Sequence, residues 1–585
     1  MAFRKIGRTD ASYNTLKKGY NLRWPSNGNP GADYVYICST ADDILAAAND
    51  ALKNNCRITV RSGGHCYEGF VSNAQATPNS LPNGIGTTPQ GLLPNQKPLA
   101  IIDVGLYTGS NYDPQGKLRS PYSTNSTTYK FRAAVGNQNW DNYIALYKSS
   151  GKTIPGGSCY SVGLGGHISG GGYGLLSRLH GLTVDWLSGV DILVPSSNGR
   201  QLIPKHVNAK STGDDALLFI ACKGGGGGNF GIITNYYFAD LPDAPQQAYW
   251  LTLSFPWEHW TSVGKERFGQ FLQAYWKWFS DHDDQWYNSD PSLSNGGLYT
   301  LMHLSHISTG PITISIQYVG GDGTITQENS APLVDFVNTM TEAAGTIPEI
   351  TDKVSTPIQP KVPNSKAGMP LSDPLGNATL YDWFALTQTV NTIGANQNGK
   401  YKSVYQIGNF NDTAINALWN NLSVPNPLLT QSLVQIDSYG GAINAFYKGT
   451  ENTTSVFQRS SILKWQYQTY WSISNEEECQ AEEIANAQIA WIRKIYSETF
   501  ADQGGKPYPN DTWQGCYINY PDNDMKYTDY TFSEIDPKWL ELHYGDRVDA
   551  LIATKNAIDP NNVFYHQMSI PLTKPNSTKC LGKKQ

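Results

Sequence analysis

Two side chains in glycine-rich surroundings are the strongest candidates for chemistry in this sequence. His65 follows two glycines after the strand-like segment 57–61, and Cys159 lies in residues 156–174, where nine of nineteen residues are glycine. Imidazoles and thiols are nucleophiles, and glycine lets a loop press such a group against a flat ligand. A lone loop histidine is more often structural, and a lone cysteine is more often an ordinary buried thiol. The shared glycine context favours presentation of both to a cofactor.

Residues 156–174 contain too much glycine for the core of a helix or a strand. Backbone N–H groups that no side chain covers bind anions, so the composition predicts close approach to a phosphate-bearing cofactor. A flexible linker is an alternative, but apolar and aromatic residues are interspersed. A nicotinamide site is another, yet neither this segment nor residues 223–231 shows a strand, G-x-G-x-x-G and a helix in register. The composition therefore favours a phosphate-bearing cofactor of another type.

The elements that must position these residues predict an α+β protein. Residues 34–62 form one predicted βαβ unit, with strands at 34–38 and 57–61 and a helix at 44–52. Three further strands are predicted, at 99–103, 189–194 and 231–238. From about residue 246, alternating Trp- and Tyr-rich segments such as 249–255 and 312–318 predict an antiparallel sheet covered by helices. A last helix is expected near 548–557.

Composition narrows the function classes. A chain of 585 residues predicts two domains, and the net charge of -6 with dispersed Lys and Arg gives no footprint for nucleic acid or anionic lipid. No apolar run is long enough for a membrane span, the first residues are too polar for a signal peptide, and the cysteines lack the CxxC pairs of zinc sites. No metal site is expected.

Asn-x-Ser/Thr sequons are compatible with an extracellular protein; they stand at Asn125, Asn377, Asn411, Asn421, Asn452, Asn510 and Asn576.

Several blocks together resemble the berberine-bridge-enzyme-like branch of the vanillyl-alcohol-oxidase flavoproteins, and the hexose oxidases in particular. The blocks span nearly the whole chain, at 61–65, 157–167, 178–181, 225–234, 399–403, 467–470 and 515–522. The resemblance implies a two-domain FAD-linked oxidase fold. An FAD-binding domain of the p-cresol-methylhydroxylase type would comprise residues 1–243 and 516–585, and a substrate domain would comprise 244–515.

The resemblance also implies how FAD is held. His65 corresponds to the histidine bonded to the flavin 8α-methyl, and Cys159 to the cysteine bonded to flavin C6. Two such bonds would clamp the ring and make it a stronger oxidant, while the chemistry remains that of the cofactor. Further cofactor-binding residues implied by the resemblance are Arg61, Ser62, Gly63, Gly64, Gly163, Gly165, Gly166, Gly228, Asn229 and Gly231.

A catalytic base is implied at Tyr520, in the motif Tyr517-Ile-Asn-Tyr520, with Asp437 as its partner. An alcohol transfers a hydride only if its hydroxyl proton leaves, so a base must stand near the substrate carbon. A phenol has a pKa of about 10, and a nearby anion raises it. We therefore expect a relay in which Tyr520 takes the substrate proton and passes its own to Asp437. The alternative is that both tyrosines are strand residues with alternating burial.

The remaining site residues also follow from the resemblance. Tyr67, Tyr173 and Tyr517 are expected to contact the substrate, and Val162 and His167 to line the path of oxygen. Tyr173 replaces an acidic residue of the hexose oxidases, so the resemblance does not fix the sugar. Packing is the alternative for Val162.

The combined expectation is a secreted, monomeric oxidase that converts the C1 hydroxyl of a mono- or oligosaccharide to the lactone and reduces O2 to H2O2. One rival is a tailoring oxidase of a natural product, such as a glycoside or an alkaloid-like amine. A second rival is a binding protein that keeps the flavin fold without turnover. Cys159, Tyr520 and Asp437 speak against the second rival, because a binding module needs none of them.

Overall fold

The computed structural model describes residues 3–74, 97–290, 293–321, 323–326, 328–351, 374–390, 396–448, 453–472 and 478–575. Its strands are β1 (Arg4–Gly7), β2 (Tyr34–Ile37), β3 (Arg57–Arg61), β4 (Leu99–Asp103), β5 (Ser110–Tyr112), β6 (Phe131–Ala134), β7 (Leu187–Pro195), β8 (Leu202–Asn208), β9 (Ile232–Phe238), β10 (Gln247–Phe255), β11 (Leu298–Ser305), β12 (Ile312–Tyr318), β13 (Glu349–Thr351), β14 (Thr379–Asp382), β15 (Asn398–Gln406), β16 (Ser432–Ser438) and β17 (Leu463–Trp471). Its helices are α1 (Tyr13–Leu16), α2 (Ala41–Lys53), α3 (Asn139–Ser150), α4 (Leu164–Ser169), α5 (Ser177–His180), α6 (Thr183–Trp186), α7 (Asp214–Cys222), α8 (Trp257–Asp281), α9 (Ala331–Ala344), α10 (Pro374–Asn377), α11 (Trp383–Thr389), α12 (Asp412–Leu422), α13 (Ala442–Tyr447), α14 (Glu478–Thr499), α15 (Glu541–Tyr544) and α16 (Val548–Ile558).

The first sheet contains the predicted βαβ unit, with one strand inserted. Its order is β1-β2-β4-β3, and β4 pairs in parallel with both β2 and β3. Helix α2 begins in a capping box, in which the Thr40 side chain accepts from the Asp43 N–H and Asp43 accepts from the Thr40 N–H. Because β3 is last in this strand order, it lies at the edge of the sheet, and the loop with His65 leaves its carboxyl end.

The second sheet is antiparallel, in the order β5-β6-β9-β7-β8. Residues 156–174 lie between its strands in the chain and contain helix α4, although their glycine content predicts no helix. The glycines allow α4 to lie close to other segments: a Cβ at Gly165 would stand 3.2 Å from the Ser62 Cβ and 3.4 Å from the Val135 Cβ. Close packing, and not helix propensity, thus accounts for this helix.

The third sheet confirms the predicted antiparallel architecture. It runs β13-β10-β12-β11-β16-β17-β15, with β14 beside β10. One face packs in a core with helices α8, α9, α12 and α14, which contribute Phe271, Phe336, Leu418 and Ile492. Because side chains alternate along a strand, the other face of β16 and β17 carries polar residues. The fold is α+β, as expected from the sequence.

The C-terminal segment returns to the first half of the chain. The Tyr544 hydroxyl donates to the Gly225 carbonyl at 3.0 Å, and the Ile570 N–H donates to the Asn229 Oδ1 at 2.9 Å. These contacts agree with an FAD-binding domain built from both chain ends. The division at residues 243 and 515 stays a prediction. In the described part of the chain, no helix is long and apolar enough to cross a bilayer.

A buried ion cluster joins segments that are far apart in the sequence. It consists of Glu68, Lys400, Lys402, Arg493, Asp522 and Asp524. The Lys400 Nζ lies 2.7 Å from Glu68 and also contacts Asp522, and the Lys402 Nζ lies 2.6 Å from Asp522 and 3.0 Å from Asp524. Burial alone would raise the pKa of Asp524, but the Lys400 and Lys402 ammonium groups outweigh it and hold this pKa well below its usual value. The stability that Asp524 contributes is therefore present above pH of about 4 and is lost as the pH falls below that.

We expect Lys400→Met to lower the free energy of unfolding by about 3–5 kcal/mol, because Glu68 would stay buried without its counter-charge and Asp522 would lose one of its two lysine partners. The matched control is Lys494→Met, which removes an exposed ammonium 3.9 Å from Glu498 and should change stability by less than about 1 kcal/mol. Thermal and urea unfolding of both variants measure the difference. Equal melting temperatures would show that the cluster does not stabilise the fold.

Candidate active site

A cavity of about 440 Å³ brings together every site residue predicted from the sequence. One wall comes from the loop after β3, residues 156–174 and residues 226–233. The other wall comes from β11, β16, β17 and residues 517–521. The predicted residues that line it are Arg61, Ser62, Gly63, Gly64, His65, Tyr67, Cys159, Val162, Gly163, Gly165, Gly166, His167, Tyr173, Gly228, Asn229, Gly231, Asp437, Tyr517 and Tyr520.

His65 is held by two neighbours. Its Nε2 lies 2.9 Å from the Ser161 Oγ, and its ring stacks on Tyr20 with 3.9 Å between centroids. Burial lowers the pKa of His65 to about 4, so the imidazole is neutral near pH 7 and keeps a lone pair on one nitrogen. Cys159 lines the same cavity, and its carbonyl accepts from the Asn139 side chain at 3.0 Å. Both nucleophiles therefore border the space available to a cofactor.

Glycine is required where the two nucleophile loops meet. A Cβ on Gly63 would stand 2.3 Å from the Gly163 nitrogen and 2.5 Å from the Ser161 oxygen. A Cβ on Gly163 would stand 2.1 Å from the Ser62 Oγ. At Gly166, by contrast, a Cβ would meet no protein atom within 4 Å. Gly63 and Gly163 thus serve contact between the loops, whereas Gly166 leaves the backbone open towards the cavity.

Three predicted cofactor-binding residues make their polar contacts within the protein. The Arg61 guanidinium pairs with Asp103 at 2.5 Å and donates to the carbonyls of Leu16, the last residue of α1, and of Lys18. The Ser62 hydroxyl donates to the Val135 carbonyl at 2.6 Å, and the Gly165 N–H donates to the same carbonyl at 3.2 Å. These groups shape the cavity wall, and Gly165 contributes close packing where the sequence predicted an amide for the cofactor.

The loop before β9 is fastened by one amide side chain. The Asn229 Nδ2 donates to the Gly225 and Gly226 carbonyls at 3.0 and 3.2 Å. Gly228 has φ of 74°, in the left-handed region that favours glycine. A Cβ at Gly231 would stand 2.3 Å from a β7 carbonyl, so this glycine permits close strand contact. Asn229 thus holds the loop that Gly228 turns towards the cavity.

The opposite wall carries Asp437 and the half-buried Tyr520, which share the fully buried Lys464 behind them. The Lys464 Nζ lies 2.6 Å from the Asp437 Oδ2 and donates to the Tyr520 hydroxyl at 3.2 Å. The Asp437 carboxylate also accepts from Gln435 at 2.8 Å and from Tyr299 at 3.5 Å. Among the described residues, Lys464 thus stands between the two groups for which the sequence predicted direct proton transfer.

Sequence reasoning missed Lys464, although a signal was present. In β17 the polar residues Lys464, Gln466 and Gln468 alternate with apolar ones, which predicts a polar strand face. The register of β16 and β17 sets Asp437 opposite Lys464 and Gln435 opposite Gln466. Gln435 and Gln466 line the cavity and were missed as well. The pairing of the strands, which no local pattern shows, brings this lysine to the predicted acid.

The tyrosines expected to contact the substrate lie around Lys464 and Tyr520, with Tyr173 and Tyr517 buried and Tyr67 half-buried. Tyr67 accepts from the Gln466 amide at 2.8 Å and lies 5.4 Å from the Tyr520 ring, between centroids. The Tyr173 hydroxyl donates to a backbone carbonyl at 2.6 Å, so its ring face, 4.5 Å from the Lys464 Nζ, is the part directed at the site. Tyr517 and Tyr520 lie in a turn, closed by the Tyr520 N–H donating to the Tyr517 carbonyl at 2.9 Å. The alternative of a strand with alternating burial is therefore wrong.

The residues expected to line the oxygen path lie beside Cys159. Val162 is half-buried and borders the cavity. The His167 Nε2 accepts from the Gly157 N–H at 3.2 Å, and burial lowers the pKa of His167 to about 4. The His167 carbonyl accepts from Asn519 at 2.9 Å, which ties α4 to the turn of the predicted base. A neutral His167 adds no charge to this part of the wall.

Known proteins similar to this chain are flavin-linked oxidases. Residues 516–571 match the family model described as berberine and berberine like. The chain is 32% identical over 581 residues to hexose oxidase of Chondrus crispus, covering 96% of this chain and 94% of that protein. It is 31% identical over 582 residues to aclacinomycin-N/aclacinomycin-A oxidase of Streptomyces galilaeus, covering 97% and 89%. The chain belongs to the berberine-bridge-enzyme-like family.

A solved structure extends this likeness to three dimensions. A glycopeptide hexose oxidase complexed with teicoplanin is 26% identical, with a TM-score of 0.74 over 97% of this chain and 99% of that chain. The family and the fold expected from the sequence are thereby confirmed. Membership of the berberine-bridge-enzyme-like family implies FAD as the cofactor.

The residues of this berberine-bridge-enzyme-like chain fit FAD. Gly166 lines the cavity with backbone that no side chain covers, as phosphate groups require. Gly228 also lines the cavity, with the His566 ring 3.5 Å from the place of a Cβ. His65 and Cys159 border the same cavity, where the family resemblance expects attachment. When bound, FAD supplies acceptance of a hydride and transfer of its electrons onward.

Two glycine substitutions separate protein packing from cofactor binding. We expect Gly63→Ala to lower the free energy of unfolding by about 1–3 kcal/mol, because its methyl group meets the Gly163 segment. We expect Gly166→Ala to leave the melting temperature of the FAD-free protein unchanged and to reduce FAD occupancy, because its methyl group meets only the cavity. Occupancy is measured as the ratio of flavin to protein absorbance. Full occupancy in Gly166→Ala would exclude residue 166 from the cofactor cradle.

Proposed function

We propose that this chain is an FAD-dependent oxidase that converts the C1 hydroxyl of a mono- or oligosaccharide to the lactone and passes the electrons to O2, giving H2O2. The observation that carries the proposal is that Tyr520 and Asp437 line the same cavity as His65 and Cys159, with the buried Lys464 ammonium bonded to both. We further propose that FAD is bonded to both His65 and Cys159. Two bonds would hold the ring at a fixed distance from the proton-accepting group.

Tyr520 is the proposed acceptor of the substrate proton. Burial and the Asp437 carboxylate raise its pKa well above the usual value, so a resting phenolate is disfavoured. Lys464 resolves this conflict. If an ammonium proton passes to Asp437, the resulting amine can accept the Tyr520 proton while Tyr520 takes that of the substrate. Asp437 then acts through Lys464, a change from the direct relay that the sequence predicted.

The polar groups around Tyr520 suit a neutral polyhydroxyl substrate. Gln435, Gln466 and Gln468 line the cavity and bond to one another, with Gln468 donating to Gln435 and to Gln466 at 2.9 Å each. Amides offer both donors and acceptors, as sugar hydroxyls require. Tyr67 and Tyr401, stacked 3.6 Å apart, add flat rings with polar tips. The resemblance to hexose oxidase supports the same substrate class.

Oxygen is the proposed electron acceptor. Val162 and neutral His167 form the cavity wall beside Cys159, where a small, uncharged molecule could approach the cofactor. The likeness to two proteins named oxidases supports an oxidase in preference to a dehydrogenase.

Export from the cell and a monomeric state are also proposed. Among the sequons, Asn411 and Asn510 are exposed and Asn125 is half-buried. Asn421 is buried and donates to Glu498 at 2.6 Å, so it offers no glycan site in the folded protein. Asn452 and Asn576 lie outside the described residues.

A tailoring oxidase of a natural product is the second candidate. The observation that favours it is 31% identity to aclacinomycin-N/aclacinomycin-A oxidase over 97% of this chain. The Tyr520 and Lys464 group would serve a free sugar and a glycoside alike, because each is an alcohol that must lose a proton. The two candidate substrates differ in the group attached to the sugar ring that is oxidised.

Anaerobic bleaching of the flavin spectrum tests the proposed substrate. We expect glucose, galactose or cellobiose to bleach the spectrum and oxygen to restore it with formation of H2O2. Bleaching by a sugar attached to an aromatic aglycone, without bleaching by any free sugar, would favour the second candidate. A preparation that binds no FAD would contradict both.

We expect Tyr520→Phe to lower kcat by about 10²–10⁴-fold, the usual contribution of a general base, with FAD content unchanged. Lys464→Gln should lower kcat in the same direction if Asp437 acts through it. Stopped-flow reduction under anaerobic conditions isolates the step concerned.

Tyr405→Phe is the matched control for this substitution. Tyr405 is more deeply buried than the half-buried Tyr520 and packs against Tyr517, with 5.9 Å between ring centroids. Loss of its hydroxyl should leave the rate of flavin reduction within about twofold of the parent. Equal effects of Tyr405→Phe and Tyr520→Phe would assign the loss to packing and remove Tyr520 from the mechanism.

A further inference from the structure

Ser161 is the partner that selects which nitrogen of His65 is available. The Ser161 Oγ lies 2.9 Å from the His65 Nε2. A serine hydroxyl can accept a hydrogen bond from Nε2–H or donate its own proton to a hydrogen bond with a bare Nε2. When the hydroxyl accepts, Nε2 carries the proton. The second nitrogen, Nδ1, then holds the lone pair.

Tyr20 fixes the plane of the same ring. Its ring stacks on His65 at 3.9 Å between centroids, with an interplanar angle of 23°. Because Ser161 contacts one edge of the imidazole and the Tyr20 ring covers one face, the imidazole has little freedom to rotate. The Nε2 edge is therefore committed to Ser161 and Nδ1 is the remaining nucleophilic atom.

We propose that Ser161 is the positioning residue for covalent attachment of the flavin: it holds His65 as the Nε2–H tautomer, so that Nδ1 forms the bond to the flavin 8α carbon. This inference rests on the proposed function, since it requires the covalent attachment at His65. It adds a residue that neither the glycine pattern nor the family resemblance indicated.

The attachment balances with O2 as the oxidant. The bond from Nδ1 to the 8α carbon forms, and one C–H bond of the methyl group breaks. The alkylated imidazole carries a positive charge until its Nε2 proton leaves, and this is the proton that lies against Ser161. The two electrons released pass to O2, and the two protons complete H2O2. Ser161 thus holds the proton that must be present before bond formation and absent after it.

The Cys159→Ala background isolates the bond at His65, because flavin retained after acid precipitation is then bound through His65 alone. In this background we expect Ser161→Ala to slow the appearance of acid-stable flavin by about tenfold, the usual effect of removing a partner of a functional histidine. Ser161→Thr should restore the rate, whereas Ser161→Val, which has nearly the same shape without a hydroxyl, should not. Peptide mass mapping identifies the residue that carries the flavin.

The outcomes separate this inference from the proposed attachment. Non-covalent FAD with an unchanged absorbance spectrum in Ser161→Val shows that fold and cofactor binding are intact. Acid-stable flavin appearing equally fast in the Thr and Val variants would overturn the role of Ser161 while leaving the bond at His65 in place. Release of all FAD from the unsubstituted protein by acid would overturn the attachment itself, and the inference with it.

Discussion

The buried ion cluster is the constraint on which the geometry of the site depends. Glu68 follows Tyr67, Asp522 stands two residues after Tyr520, and both bind Lys400 of β15. Moving one partner of a buried ion pair costs far more free energy than moving one partner of an apolar contact. The cluster therefore resists small shifts of the chain. Three segments from different parts of the sequence therefore keep one relative position. The stacking of Tyr67 on Tyr401, the residue after Lys400, is a direct result.

The two walls of the cavity follow different structural rules. The wall with His65 and Cys159, where FAD is proposed to bind, is made of loops whose glycines allow contact at distances that any side chain would prevent, as at Gly63 and Gly163. The opposite wall, proposed for the substrate, is a sheet face on which strand register places polar residues opposite one another. Loops can follow the outline of a cofactor, whereas a sheet holds side chains at fixed spacing. Each wall thus has the backbone that its task requires.

Patterns of adjacent residues predicted where helices and strands occur, but not which strands lie next to each other in a sheet. Strands such as β9 and β12 and the helix α2 follow from alternation and capping, which are properties of adjacent residues. The insertion of β4 between β2 and β3 does not, because strand order depends on contacts between distant segments. The same limit explains why Asp437 was found by resemblance while Lys464, its cross-strand neighbour, was missed. Helix α4 was missed for another reason, since packing overrode its unfavourable glycine content.

In the proposed reaction, Lys464 would also change the electrostatic balance. An ammonium about 3 Å from a forming phenolate attracts it by roughly 5 kcal/mol at an effective dielectric constant of about 20. This attraction exists only while the Tyr520 proton is displaced, so it favours the transition state over the resting site. Once Asp437 has become neutral and Lys464 has regained its proton, the wall carries one more positive charge than before. That charge would compensate the negative charge that a hydride would bring to bound FAD, so the buried site would hold no unbalanced ion.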